Sequence, residues 1–522
     1  MQPDESWSGK LPVPEYVLKD ARKLREIFLE DPYRPYYHFC VIDGNGVPGD
    51  PNGAFWHNGR YHLMYLYKKA GSGGFCWGHV SSADLLHWRH HPDAIGPGNG
   101  DEGCFSGGAF VDDDGTAYLS YWMLWGAKGI GIAKSNDPNF ETWTKLPENP
   151  VCISTEFGIT DLPKPDGSRL VYGTQDPSNI WKHNGKYYML TGNGPLLWSD
   201  KYGLRGRSSN PAWQGDHLYL FESNDLKTWT YLHEFYERNP KWTENTEDNS
   251  CPSFLPLPSS PNGGQPSGKH LLLFISHNKG CQYYIGNYEN NQFIPDNHGR
   301  MSWVDNTFFA PEALIDGKGR QIAWVWLLDN TSNDMHRGWS GVYAIPRSLW
   351  LGEDGTLRQA PVSEIKNLRM KQFDWNNLKL KANQTQKLDG FHQDCCEIYL
   401  ETPYDCAGNF KLNVKASPDQ KELTALSFDK QNNRLVFDAS KSGKEGRPVV
   451  EHAPFVLNDG EPLKLRIFID KCVVELFAND RQAISRRVYP FNRDSNHIEI
   501  IATGEVAFTT LNAWELAPTN PY

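Results

Sequence analysis

Two aspartates open two copies of one seventeen-residue pattern. Asp50 begins D-P-N-G-A-F-W-H-N-G-R-Y-H-L-M-Y-L, and Asp176 begins D-P-S-N-I-W-K-H-N-G-K-Y-Y-M-L-T-G. Paired carboxyl groups are the working parts of glycosidic-bond hydrolysis. A retaining enzyme needs one ionised to attack the anomeric carbon and another protonated to assist the leaving oxygen, about 5–5.5 Å apart. A third acidic cluster lies in T-E-D-N-S-C-P (residues 246–252), with Glu247 and Asp248 inside it and Glu244 just upstream. Asp-Pro-Asn-Gly is also an ordinary turn, so residue type alone leaves both a catalytic and a turn reading for Asp50 and Asp176.

Each copy reads as a loop, a short strand, a tight turn and an aromatic strand. The turns are Asn58-Gly59 and Asn184-Gly185, dipeptides suited to the positive φ angles of a two-residue hairpin. Other patterns recur. W-G-H-V-S-S-A-D-L-L-H-W (77–88), I-G-I-A-K-S-N-D-P-N-F-E-T-W (130–143) and L-Y-L-F-E-S-N-D-L-K-T-W (218–229) share a strand, a serine, an Asp-Leu or similar pair and a tryptophan. G-G-A-F-V-D-D-D-G-T-A-Y-L-S-Y (107–121) and A-P-E-A-L-I-D-G-K-G-R-Q-I-A-W-V-W (310–326) share a strand followed by an acidic glycine turn. Repeated small sheets suggest a radial array that aims several carboxylates at one axis, and at roughly 50–70 residues per blade there is room for about five.

The expected fold is therefore all-β: a five-bladed β-propeller followed by a C-terminal antiparallel β-sandwich. Residues 1–35 form an N-terminal extension with a short helix over 14–30. Residues 36–368 form the propeller, 369–385 a linker, and 386–522 the sandwich. The stretches 194–216 and 238–268, rich in Pro, Gly, Ser and Asn, read as loops. Alternation over 462–480 and the Asn479-Asp480 turn support the sandwich.

With 522 residues the chain can bury several cores. Its net charge of −11 argues against nucleic acid as a partner. The 13% of aromatic residues suits both β-rich packing and stacking on sugar faces. No run of eighteen apolar residues suggests a membrane span. M-Q-P-D-E-S-W-S lacks the marks of a secretory signal, so the compartment stays open, with a secreted or periplasmic site slightly favoured. The ten cysteines, Cys395-Cys396 included, show no metal-ligand spacing and read as mostly buried thiols. The glycosylation sequons at Asn330 and Asn383 are expected by chance.

Eight motifs in order carry a resemblance to glycoside hydrolase family 32, the invertases, inulinases and levanases. R-P-Y-Y-H-F (34–39) is similar to the family's opening strand, and D-P-N-G (50–53) to its nucleophile loop. W-G-H-V-S-S-A-D-L-L-H-W (77–88) resembles a family signature, and F-S-G-G-A (105–109) resembles F-S-G-S-A. Q-D-P (175–177) aligns with R-D-P, and C-P-S-F (251–254) with the end of E-C-P-D-F. I-P-R-S-L-W-L-G-E-D-G-T-L-R-Q-A-P-V (345–362) resembles the strand that closes the propeller, and V-E-L-F-A-N-D (474–480) the sandwich's V-E-V-F-x-N-D. The resemblance runs from Arg34 to the C-terminus. It implies a five-bladed propeller, a β-sandwich and retaining hydrolysis of β-fructofuranosides in an oligo- or polysaccharide, without metal or other cofactor.

It also implies roles. Asp50 is expected as the nucleophile, Asp176 as the transition-state stabiliser and Glu247 as the general acid, with Asp248 and Glu244 as alternatives. Asn52, Trp77, Phe105, Ser106, Gln175 and Leu66 are expected to line the sugar site. Trp303, Trp324 and Trp339 read as packing or outer rim, and His79 as a structural histidine.

Four departures fall on positions that grip the fructosyl unit. V-P-G-D stands for W-M-N-D, so Val47 and Gly49 replace Trp and Asn. Leu66 replaces Gln, Gln175 replaces Arg, and Ser250 replaces the Glu before Cys-Pro. Each lost hydrogen bond is worth roughly 0.5–1.5 kcal/mol, more where a charge takes part. Retained carboxylates within an altered shell point to a changed glycone or linkage. A fructan linkage and a related furanoside such as an arabinofuranoside are both open. Fructosyl transfer, inverting hydrolysis and a non-catalytic carbohydrate-binding propeller are the rival readings.

Overall fold

The computed structural model describes residues 13–71, 74–193, 214–329 and 337–521, with the backbone of the pairs 203–204 and 207–208. Most of the stretch 194–216 lies outside the described residues, as does Asn330. A helix, Glu15–Glu30, starts directly after Pro14 and turns Phe28 into the body of the protein. Its end is tied down where the Trp339 indole N–H donates to Asp31 at 2.7 Å. It is too short and too polar to cross a membrane, and no other described helix is long and apolar enough to do so.

Five antiparallel sheets of four or five strands follow, each built from near neighbours in sequence, with a two-stranded sheet of Ile159–Pro163 and Arg169–Gly173 between the second and third. The first runs from Gly44–Asn45 through Pro51–His57, Arg60–Lys69 and Phe75–Ser82 to Arg89–Ile95. The second begins with Asp101–Val111 and Ala117–Gly126. The third contains Trp181–His183, Lys186–Thr191, Tyr219–Ser223 and Trp229–Glu234. The fourth contains Ser250–Pro258, Pro266–Ser276, Gly280–Glu289 and Gln292–Arg300. The fifth contains Phe308–Ile315, Gln321–Leu327, Arg347–Leu351 and Leu357–Pro361. Asn58 and Gly59 adopt φ of 47° and 79°, and Asn184 and Gly185 adopt 51° and 78°, the conformation that lets two residues reverse a twisted hairpin.

One strand in each of four of these sheets is interrupted at a corresponding place. Pairing slips between Asn52 and Phe55, Cys104 and Gly107, Ser250 and Ser253, and Phe309 and Pro311. At three of these slips a residue turns left-handed: Gly53 at φ 53°, Cys251 at 49° and Ala310 at 49°. A bulge bends its strand and re-aims the neighbouring side chain. The stretch 238–268, expected as a loop, instead carries the strand Ser250–Pro258. Its three prolines, Pro252, Pro256 and Pro258, are tolerated because the strand is the bulged first strand of its sheet.

The chain then forms a seven-stranded and a six-stranded sheet sharing one apolar core. The segment 369–385, expected as a linker, is part of this structure. Arg369–Asp374 pairs with Thr510–Leu516, and Lys379–Leu380 pairs with Val506–Ala507. Polar residues in a linker-like sequence conceal edge strands, because only alternate side chains of an edge need be apolar. The whole fits a β-propeller followed by a β-sandwich. The two parts are locked by Glu475 of the V-E-L-F motif, which meets His38 at 3.0 Å, the Arg347 guanidinium at 3.2 Å and the Ile345 N–H at 2.8 Å, all buried.

Candidate active site

Asp50 sits just ahead of the strand Pro51–His57 and is held by its own backbone. Its carbonyl accepts the Leu66 N–H at 2.9 Å and the Asn52 side-chain amide at 3.1 Å. The Asn52 side-chain oxygen Oδ1 in turn accepts the Gly107 N–H at 3.1 Å. The loop is thereby pinned between the first and second sheets, and the Ser106 hydroxyl is brought to donate to Asp50 Oδ2. Asp176, at φ 36°, lies before the first strand of the third sheet. The fourth sheet supplies Cys251, whose thiol is 3.6 Å from Asp50 Oδ2 and 3.8 Å from Asp176 Oδ2. Two aspartates from separate sheets therefore meet at one sulfur.

Both aspartates are buried, and neither Oδ1 has a hydrogen-bond partner among the described residues. The same is true of the buried Tyr343 hydroxyl, which feels the charge of Asp50. Buried carboxylate oxygens without partners are costly in a finished core. Such oxygens suit a site that receives the hydroxyls of a ligand. Burial pushes the Asp50 carboxyl up, opposed by the Ser106 and Cys251 hydrogen bonds and by His277. Burial and then the charge of Asp50 push Asp176 up to about 7. Two close carboxylates resist double ionisation, so one proton is shared over the pair near neutrality.

His277 brings a basic side chain to this site. Its Nδ1 lies 2.6 Å from Asp248 Oδ2, and its backbone N–H donates to Asp248 Oδ1 at 2.8 Å. Burial alone would lower the imidazole, but Asp248, Asp176 and Asp50 together raise it to about 9. Nothing in the sequence marked this residue: it follows the strand Pro266–Ser276 in an S-H-N step, far from the acidic cluster. Tyr343 was missed for the same reason, since it reads as one more aromatic residue.

Glu247 does not fit the acid role expected of it. Arg300 grips both of its oxygens at 2.7 and 2.9 Å, while the Glu244 N–H and the Gln282 amide each add a bond at 2.8 Å. Burial would raise the carboxyl, but these donors hold it below the ordinary range, the opposite of what proton donation at neutrality needs. Glu244 is exposed and paired with Lys279 at 3.0 Å. Of the three expected alternatives, Asp248 alone contacts His277 and adds to the rise of Asp176.

The expected sugar wall is also revised. Trp77 and Leu66 are fully buried among Phe55, Met64 and Met123, and the Trp77 N–H donates to the Phe105 carbonyl at 3.1 Å. They support the loop from below, where alternation on a strand covered on both faces cannot tell the two directions apart. Phe105 is partly exposed and packs edge-on against Phe75 and Trp122. Gln175 is buried, and its amide donates to the Ser250 hydroxyl at 3.0 Å. Two of the four departures thus touch, as a neutral pair. At a third, Gly49, a Cβ would strike the Gly46 carbonyl and lie 2.9 Å from Gly341 Cα. His79 is bonded to His62 at 2.9 Å within a buried stack that includes His91. Among the described residues no group of three or more His, Cys, Asp or Glu side chains could hold a metal ion.

Comparison with known proteins places this geometry. Residues 45–361 match the N-terminal domain of glycosyl hydrolases family 32, and residues 364–515 match that family's C-terminal domain. A levanase of Bacillus subtilis is 28% identical over 91% of this chain and 69% of its own length. A fructan 1-exohydrolase of Bromus pictus is 28% identical over 93% of this chain and 87% of its own. A variant of fructan 1-exohydrolase IIa from Cichorium intybus, in complex with 1-kestose, superposes with a TM-score of 0.78 at 24% identity, covering 94% of this chain and 99% of that one. An exo-inulinase of Aspergillus awamori gives 0.73 at 22% identity, over 94% and 99%. The chain belongs to glycoside hydrolase family 32 and is a glycosidase.

Proposed function

We propose that this glycosidase cleaves β-fructofuranosidic bonds of fructan, fructo-oligosaccharide or sucrose with retention of configuration. The observation that carries the reading is the meeting of Asp50 and Asp176 at Cys251, with one oxygen of each unpartnered. Asp50 is the nucleophile. Its attacking charge is favoured by the Ser106 hydroxyl and the Cys251 thiol, and its carboxylate forms a bond to the anomeric carbon of the fructosyl unit. Asp176 holds sugar hydroxyls and stabilises the oxocarbenium-like transition state. The levanase, fructan exohydrolase and kestose-bound relatives support the fructosyl unit as glycone.

The five sheets close into a propeller in this reading. The strand Pro51–His57 packs against both Asp101–Val111 and Phe308–Ile315, first sheet against second and last, which supports closure. The Gln175–Ser250 pair favours a second reading of the glycone. Replacing a charged pair with a neutral one removes donors that orient hydroxyls, which suits an arabinofuranoside or an altered fructosyl linkage.

Incubation with sucrose, inulin, levan, 1-kestose and aryl arabinofuranosides, followed by NMR of the first-formed anomer, tests both readings. Release of β-fructose from a fructoside is expected. Saturable glycan binding with no sugar released, and unchanged in D50A, would instead establish a non-catalytic propeller.

A further inference from the structure

The proposed fructosidase reading leaves its proton donor unassigned, because Ser250 stands where relatives are expected to carry Glu and Arg300 neutralises Glu247. We propose that His277, held by Asp248, is the proton donor and acceptor of this site. One carboxylate positions the residue twice: the imidazole Nδ1 meets Asp248 Oδ2 at 2.6 Å and the His277 backbone N–H donates to Oδ1 at 2.8 Å. Asp248 is fixed in turn by the Ser250 hydroxyl at 3.2 Å, and its carbonyl accepts the Ser276 hydroxyl at 2.7 Å. The residue that replaces Glu therefore orients the group that takes over its task.

Asp248 is only 2% exposed, whereas the His277 side chain is 37% exposed, so the ring and not the carboxylate is open to a substrate. The Phe309 ring packs edge-on against it at 5.7 Å, and Asn306 fixes its carbonyl at 2.7 Å. Among the described residues, Asp248, Asp176 and Asp50 act on it, in that order, and each favours the charged ring. An imidazolium is the favoured state at neutral pH, and Nε2 is the edge turned from Asp248.

The steps balance. The Nε2 proton passes to the glycosidic oxygen as its bond to the anomeric carbon breaks and Asp50 bonds to that carbon. The neutral imidazole then takes a proton from water as the water oxygen bonds to the carbon and the Asp50 ester breaks. Esterification removes the Asp50 charge, one of the three that keep His277 protonated, so the imidazole stays neutral after it has donated and is available as the base for the second step.

The test compares wild type, H277N and D248N on inulin and on β-fructofuranosyl fluoride, whose leaving group needs no proton. H277N is expected to lose about 10²–10⁴-fold in kcat/KM on inulin. It should keep fluoride consumption in the first turnover within ten-fold, and azide should restore turnover by forming β-fructosyl azide. D248N should move the alkaline limb of the pH profile to lower pH. H277N within five-fold of wild type on inulin would overturn the proposal. So would equal losses on both substrates, or proton-donor behaviour of D248N or D176N with H277N unaffected. Should H277N fail to fold, wild type alone decides: an alkaline limb near pH 9 on inulin, absent on the fluoride, supports His277, and identical limbs overturn it. Wild type inert on both substrates would instead bring down the fructosidase reading itself.

Discussion

Asp176→Asn should make the protein more stable while stopping turnover, and the stability gain should depend on pH in a defined way. In the native protein burial and Asp50 hold the Asp176 carboxyl up at about 7. In the unfolded chain it returns to the ordinary aspartate value near 4. A carboxyl whose folded value is raised supports stability that is fully present below the unfolded value and is lost as pH rises to the folded one. Ionising the buried group at pH 7.5 therefore draws on stability by up to about 4 kcal/mol. Asparagine keeps the shape and removes the charge. The gain should be near zero at pH 4, where both side chains are neutral, grow between pH 4 and 7, and level off before His277 begins to titrate. Urea denaturation of both proteins at half-unit intervals measures it. A gain equal at pH 4 and 7.5, or wild type more stable at 7.5, would refute the electrostatic coupling of the two aspartates.

Glu247→Gln should lower stability by about 3 kcal/mol, because Arg300 loses its buried partner, yet leave kcat/KM of the folded enzyme within several-fold. Collapse of activity with azide rescue would restore Glu247 as the acid. Ser106→Ala removes the hydroxyl bonded to Asp50. A hydrogen bond to a charged group is worth about 1.5–3 kcal/mol, so kcat/KM should fall roughly ten- to hundred-fold and the acidic limb of the pH profile should move upward. At the domain junction, Asp470 and Glu475 outweigh burial and raise His38 to about 9. Its contribution is fully present below about pH 6.5 and disappears as pH rises through about 9, so thermal melts should show falling stability across that window. H38N should make the decline shallower, with the remainder due to His277, and an unchanged slope would count against the junction as an electrostatic lock.

What could be read from the sequence was whatever repeats. The N-G turns needed positive φ, the two D-P loops held corresponding places ahead of their hairpins, and the order of motifs led to the family. What could not be read was direction and pairing. Trp77 and Leu66 lie on strands buried on both faces, so period-two alternation could not say which face met the sugar. Glu247 and Asp248 are adjacent and chemically alike, and only their partners, Arg300 and His277, separate a locked ion pair from a group joined to the site. Those partners come from 53 and 29 residues downstream, roughly the span of one hairpin or blade. The departures Gln175 and Ser250 looked independent in the chain, and they are one contact in space.

The most direct test of the central claim is mass spectrometry of the protein quenched during turnover of β-fructofuranosyl fluoride, in a variant slow to release its intermediate such as H277N. A fructosyl group on the peptide containing Asp50, absent in D50N, is the predicted result. A fructosyl group on Asp176 or another residue, or α-fructose as the first product of the wild-type enzyme, would contradict the account.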